Sequence, residues 1–216
     1  TLAADRVGDK DAVMKYAQYA LKDKENGQFA MQLLTDAYKA KGDTAKWVEK
    51  LQEGIVKFPE NQYFFANLVD YYSSSNQNDK AMQFADDMLA KDPNNKLYLY
   101  VKAYLYHNMK DYEKAIEFYK KTLDIDPAYA EACSNLGLVY LLQAQEYADK
   151  APADINDPNY ATAQAEIKKF YEAAKPYYEK ARELKPDQKD LWLQGLYRVY
   201  YNLNMGPEFE EIEKMM

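Results

Sequence analysis

Residues 96–129 read KLYLYVKAYLYHNMKDYEKAIEFYKKTLDIDPAY, and the architecture follows from what recurs around them. Pro59, Pro93 and Pro127 are spaced by 34 and again by 34. Each proline follows a helix-compatible run (Trp47 to Phe58, Asp79 to Asp92, Asp111 to Asp126) and precedes another. An X-Pro step disfavours the α region for the residue before it and so ends one helix, while proline is accommodated in the first turn of the next. The spacing therefore predicts a unit of helix, short turn, helix and proline that recurs every 34 residues. Composition agrees, because Ala and Leu number 48 against 19 for Val, Ile and Thr, and Gly and Pro together only 15. Branched side chains lose rotamer freedom in helices, and Gly and Pro interrupt them.

The residues inside each unit sharpen the pattern. Stretch 96–129 carries Ala103 at its position 8, Tyr106 at 11, Tyr112 at 17, Ala115 at 20, Tyr119 at 24 and Pro127 at 32. The next unit opens with Leu136, Gly137 and Tyr140 at positions 7, 8 and 11. Stretch 62–95 offers Phe65, Leu68, Tyr72, Ala81 and Pro93, with Val69 at position 8. Stretch 28–61 offers Met31, Leu34, Tyr38, Gly42 and Pro59, with Trp47 at position 20. With these residues and this phasing the chain resembles the tetratricopeptide-repeat family over nearly its whole length. The resemblance implies an all-α fold, a right-handed α-α superhelix (solenoid) of antiparallel helix pairs. Small residues at positions 8 and 20 let the two helices of a pair approach, and aromatics at 11 and 24 fill the volume between pairs. No single pair can bury its apolar face, so stability is a sum of repeat and interface terms. Lys102 at position 7 and Trp47 at 20 predict locally altered packing.

The register divides the chain into a partial repeat at 1–27, repeats at 28–61, 62–95 and 96–129, a fourth at 130–188, and C-terminal capping helices at 189–216. Counting back places Gly8 at position 15 and Ala20 at position 27, so the chain enters partway through a repeat and upstream repeats are expected to be missing. Pro127 and Pro186 are 59 apart, which is 34 plus 25. The fourth repeat is thus expected to hold an insertion of about 25 residues at 144–170, with Ala151–Asn159 as its tip and a helical arm on either side. Asp157-Pro158 has the form of an N-cap followed by proline at the first helical position, and Pro176 is expected to kink or break the second helix. Beyond Pro186, Lys189–Leu203 reads as a further first helix with Trp192 at position 4, and Glu208–Met216 as a terminal helix that covers the last apolar face.

Net charge is −7, which disfavours a nonspecific grip on nucleic acid or on an anionic membrane surface, and no run of 18 apolar residues exists to span a bilayer. The sequence holds one cysteine and one histidine, which excludes an internal disulfide framework and the usual Cys/His zinc sites. Cys133 falls at a packing position and reads as a small buried hydrophobe. His107 has no nucleophile or carboxylate at a catalytic spacing. Asp149–Asn159 lacks the order and central glycine of a calcium loop, and no Walker loop, GxGxxG, CxxC or HExxH occurs. The expectation is therefore a chain that is not an enzyme and takes no cofactor or metal. The chain begins at Thr1 with no basic segment and no apolar signal core. Its localisation is open between the cytoplasm and, if a leader has been removed, the periplasm or the exterior.

Function is expected on the concave face. In tetratricopeptide proteins positions 2, 5, 9 and 12 of first helices face that groove. Here they bring Tyr63, Tyr100, Tyr104, Tyr197, Phe29 and Tyr200 together with Asn67, Asp70, His107, Asn108, Asn135, Asp36 and Ser134. Tyrosine combines large contact area, low entropy cost and a hydrogen-bonding tip, which suits a binding surface. Tyr100 and Tyr104 are four apart on one helix and share a face. The leading expectation is a protein–protein interaction scaffold that receives a peptide or helix in this tyrosine-rich groove. The alternative is a ligand-binding or assembly module of a cell-envelope complex, with glycan handling as one form of it. Family members that clamp a chaperone's C-terminal carboxylate use Lys, Asn, Asn, Lys and Arg at five groove positions. This chain has Gln32, Asp36, Asn67, Leu97 and Val101 there, which argues against that partner.

Overall fold

A computed structural model describes residues 9–23 and 26–216. Among them are eleven α-helices and no strand: α1 (Lys10–Ala20), α2 (Gly27–Ala40), α3 (Thr44–Lys57), α4 (Gln62–Ser74), α5 (Asn78–Lys91), α6 (Lys96–Asn108), α7 (Tyr112–Ile125), α8 (Ala130–Lys150), α9 (Tyr160–Leu184), α10 (Leu193–Asn202) and α11 (Gly206–Glu213). The all-α class expected from composition is the class observed. Gly8, placed above at repeat position 15, lies outside the described residues. The chain divides into two compact units, Thr1–Gln83 and Phe84–Met216, with the division inside α5.

The 34-residue period is written most clearly in the helix ends. Gly42, Asn76 and Lys110, each 34 after the last, all take positive φ (72°, 55° and 61°). The following amide reaches back across each turn, Asp43 to the Tyr38 carbonyl, Gln77 to Tyr72 and Asp111 to Tyr106, at 3.1, 2.7 and 2.9 Å. This is the left-handed helix closure that satisfies orphan carbonyls at a C-terminus. Asn204 (φ 54°) closes α10 in the same way, with the Met205 amide 2.9 Å from the Tyr200 carbonyl. Second helices start on the same period. Asp9, Asp43 and Asp111 each accept from the backbone amide three residues on, at 3.0, 3.2 and 3.3 Å. First helices α4 and α6 start at Asn61 and Asn95, whose side chains accept from the Tyr63 and Leu97 amides at 3.0 Å. These caps fix where α1, α3, α4, α6 and α7 begin.

In the N-terminal unit, Val13 packs with Leu33 and Ala37, and Ala17 with Ala30 and Leu34, so α1 lies against α2. Gly54 is needed for close approach. A Cβ there would come within 2.3 Å of the Phe64 ring. Trp47, at the position where a small residue is usual, is buried with its ring edge-on to Tyr71 at 5.4 Å and beneath the Lys39 ammonium at 4.8 Å. The large ring is accepted because α2 and α4 both turn side chains onto it.

In the C-terminal unit, Ala103, Ala115, Tyr119, Leu136 and Val139 form one buried cluster, and Cys133, Ala174, Tyr178, Leu196, Val199 and Ile212 belong to the next. Lys102, at an apolar repeat position, is ion-paired with Asp86 and lays its ammonium 4.7 Å from the Phe118 ring centre. Its stem thus substitutes for the missing apolar side chain. Helices α8 and α9 run 21 and 25 residues, against 13 and 14 for α6 and α7.

Three local expectations are corrected. Pro176 neither ends nor interrupts α9, because Tyr171, Ala174, Tyr178 and Ala181 are buried on both sides of it and packing outweighs one lost backbone bond. The second long helix starts after Asn159 rather than at Pro158. Asp157 instead accepts from the Asn159 amide at 2.7 Å and shapes the preceding turn. Lys189–Leu203 is not one helix but a 3-10 turn, Lys189–Leu191, followed by α10. Trp192 sits between them with its ring buried and its indole N–H donated to the Lys185 carbonyl at 3.0 Å, while Ser134 donates to the Leu191 carbonyl at 2.5 Å. Anchoring that ring in the core breaks the helical path.

Candidate protein-interaction surfaces

In the N-terminal unit, α2 and α4 carry the predicted groove residues as a tied polar row. The Tyr63 hydroxyl donates to Asp36, and burial together with that carboxylate pushes the phenol well above its usual range. Asn67 donates to the Tyr63 carbonyl at 2.8 Å and accepts from Lys39 at 3.5 Å. Asp70 is exposed one turn further along α4, and Phe29 is 44% exposed on α2. Tyr63, Asn67, Asp36 and Lys39 are therefore brought together, and the ties reduce the rotamer freedom a ligand would otherwise have to freeze.

In the C-terminal unit the predicted residues separate into different roles. Tyr100 does not present an open platform. Its ring lies 4.9 Å from Tyr129 and 5.8 Å from Tyr119, its hydroxyl accepts from Asn135 at 2.8 Å, and burial pushes its pKa up to about 12. It is a core-wall ring that positions the Asn135 amide. Tyr104 and His107 are half-buried, 6.3 Å apart between ring centres, with Asn108 exposed beside them. The His107 Nδ1 is buried without a partner, and burial lowers the imidazole pKa. Ser134 is engaged with the Leu191 carbonyl. Tyr197 lies elsewhere, 4.9 Å from Phe209 of α11, and Tyr200 is buried with its hydroxyl donated to Glu179 at 3.1 Å. Burial also pushes the Cys133 thiol up to about 11, which leaves it a poor nucleophile at neutral pH.

One concavity was not anticipated. Where α8 outruns the α6–α7 hairpin, a notch of about 500 Å³ opens between the turn Lys110–Glu113, one face of α8 (Gln143, Glu146, Tyr147, Lys150) and Phe170. Its walls come from three elements far apart in sequence. The available signal was the i, i+3, i+4, i+7 spacing of those α8 residues beyond the length of a regular first helix. Among the described residues no three His, Cys, Asp or Glu side chains group to hold a metal ion, and no helix is long and apolar enough to cross a membrane.

Comparison with known proteins gives a consistent picture. A tetratricopeptide-repeat family profile matches residues 84–117, and a second, described as TPR repeat, matches residues 103–143. No curated protein matches the sequence. Similar solved structures include MamA (TM-score 0.56, 16% identity, 88% of this chain and 90% of that one). PilW, described as a widely conserved type IV pilus biogenesis factor, gives 0.62 at 16% identity over 99% and 87%. Human IFIT1 gives 0.64 at 18% identity, over 96% of this chain but 46% of the longer one. All three are tetratricopeptide-type proteins, and at these identities the likeness is one of fold. The chain carries tetratricopeptide repeats, recognised directly across residues 84–143, within an all-α helical-repeat fold.

Proposed function

We propose that the chain is a non-enzymatic protein-interaction scaffold that binds a peptide or helix on its first-helix faces, with repeats bounded at 28–61, 62–95, 96–129 and 130–188. Tetratricopeptide repeats mediate protein–protein interaction, and the acidic net charge favours protein over nucleic-acid partners. The observation that carries the reading is the row Tyr104, His107 and Asn108 on α6. It combines two half-buried rings, an exposed amide and a buried, unpartnered imidazole nitrogen. Asn135 of α8 donates to Tyr100, one turn before this row on α6. Tyr63, Asn67 and Asp70 form the corresponding surface of the N-terminal unit, and Tyr197 that of α10.

The test replaces Tyr104 and Asn108 by Ala together and leaves Tyr100, a half-buried ring packed on Tyr119 and Tyr129, intact. Cross-linking capture from the native organism, read by mass spectrometry, should lose its specific partners while the far-UV spectrum and melting temperature stay close to those of the parent. An unchanged partner set would place the binding surface elsewhere.

A further inference from the structure

The turn between α10 and α11 borders an open pocket that the α6 row does not use. It has a volume of about 290 Å³ and is lined by Tyr200, Tyr201, Asn204, Met205, Gly206 and Phe209. Two rings form an open V, with Tyr201 and Phe209 centred 5.7 Å apart and tilted by 52°. Tyr201 is 64% exposed, an unusual position for so large an apolar surface. Phe209 is braced from behind by Tyr197 at 4.9 Å. The floor is Tyr200, whose hydroxyl donates to Glu179 and whose phenol is pushed up by burial and by the carboxylates of Glu179 and Glu208. No lysine or arginine lines the pocket. The nearby Arg182 is occupied by Glu211 and by the Trp192 ring, 5.3 Å away. The N-terminal end of α11 places positive backbone dipole at the rim, and Glu208 in its first turn offsets it.

We infer that this pocket binds a cationic side chain, lysine or arginine, presented by a protein partner. Ring faces carry negative quadrupole density and attract an ammonium or guanidinium group within about 6 Å. The Met205 thioether and the ring walls accept the alkyl stem, and Glu208 supplies the counter-charge. Anionic or neutral apolar ligands would lack one of these two halves. The inference does not rest on the α6 row and can hold or fail without it.

The experiment titrates the intact chain with Nα-acetyl-lysine methylamide, its Nε-acetylated counterpart and choline, observed by NMR at the Tyr201 and Phe209 rings. The charged lysine probe should shift both rings saturably, and Nε-acetylation should remove the response. Tyr201→Leu, at an exposed ring, should weaken binding by about two- to fivefold, and Glu208→Gln by a smaller factor. Unchanged melting temperatures would show that both variants remain folded. Equal binding of the acetylated probe would overturn the cation assignment. A response to choline without one to the lysine probe would overturn the assignment to a protein side chain.

Discussion

The hairpins α6–α7 and α8–α9 solve the same packing problem at different lengths. In the shorter, Tyr119 at repeat position 24 is fully buried in one cluster with Ala103 and Ala115 and meets the Tyr100 ring. In the longer, Tyr178 at the same position is wedged between two glycines. A Cβ on Gly137 would stand 2.7 Å from the ring, and one on Gly195 2.2 Å from it. The repeat's interior is thus retained in the longer hairpin, and the extra turns are added outside it. Beyond Ala144 the extension buries little except Ala163, with Tyr147 and Phe170 meeting at 6.1 Å. An array tolerates such an addition because each hairpin needs only its neighbours' inner faces.

The largest expected effect comes from emptying position 24. Tyr178→Ala and Tyr119→Ala should each destabilise the chain by about 3–5 kcal/mol, measured by urea unfolding followed by circular dichroism. A much smaller loss for Tyr178→Ala would show that the longer hairpin does not depend on the ring its glycines accommodate. Next is Gly195→Ala, expected to cost about 1–3 kcal/mol through overpacking. Adding Tyr178→Leu should recover part of that loss, and additive effects in the double-mutant cycle would separate the glycine from the ring.

A stabilising change of about 1 kcal/mol is expected from Lys110→Gly, because Lys110 holds a left-handed conformation that Gly42 adopts without strain in the equivalent turn. A fall in melting temperature for that variant would mean the Lys110 side chain contributes more than its backbone strain costs. The smallest effect is a pH dependence confined to α6, since the longer hairpin has no histidine. Burial lowers the His107 pKa in the folded state, so below about pH 6.5 the unfolded chain takes up a proton that the native chain resists. Stability should therefore decline as pH falls from that point until the folded pKa is passed. His107→Gln should flatten this part of the profile, and an unaltered slope would assign it to carboxylates instead.

What the sequence determined by itself was what local chemistry repeats. The prolines at 59, 93 and 127 and the small residues Ala103, Ala115 and Gly137 carried the helix-pair architecture. The capping residues Asp43, Asn61, Asn95 and Asp111 were not read from the sequence, although in the structure they obey the same period, each acting on amides two or three residues away. The groove was only partly legible. Helical spacing placed Tyr63, Asn67, Tyr104 and His107 on first-helix faces, but spacing carries no information about what lies opposite. Tertiary structure decided that Tyr100 packs half-buried against Tyr119 and Tyr129, that Trp192 interrupts a helix and that Pro176 does not. It also decided that Tyr201 and Phe209 meet across a turn. Each of these depends on a surface supplied by another helix, and burial of apolar area against that surface outweighs the local preferences by which a single segment can be read.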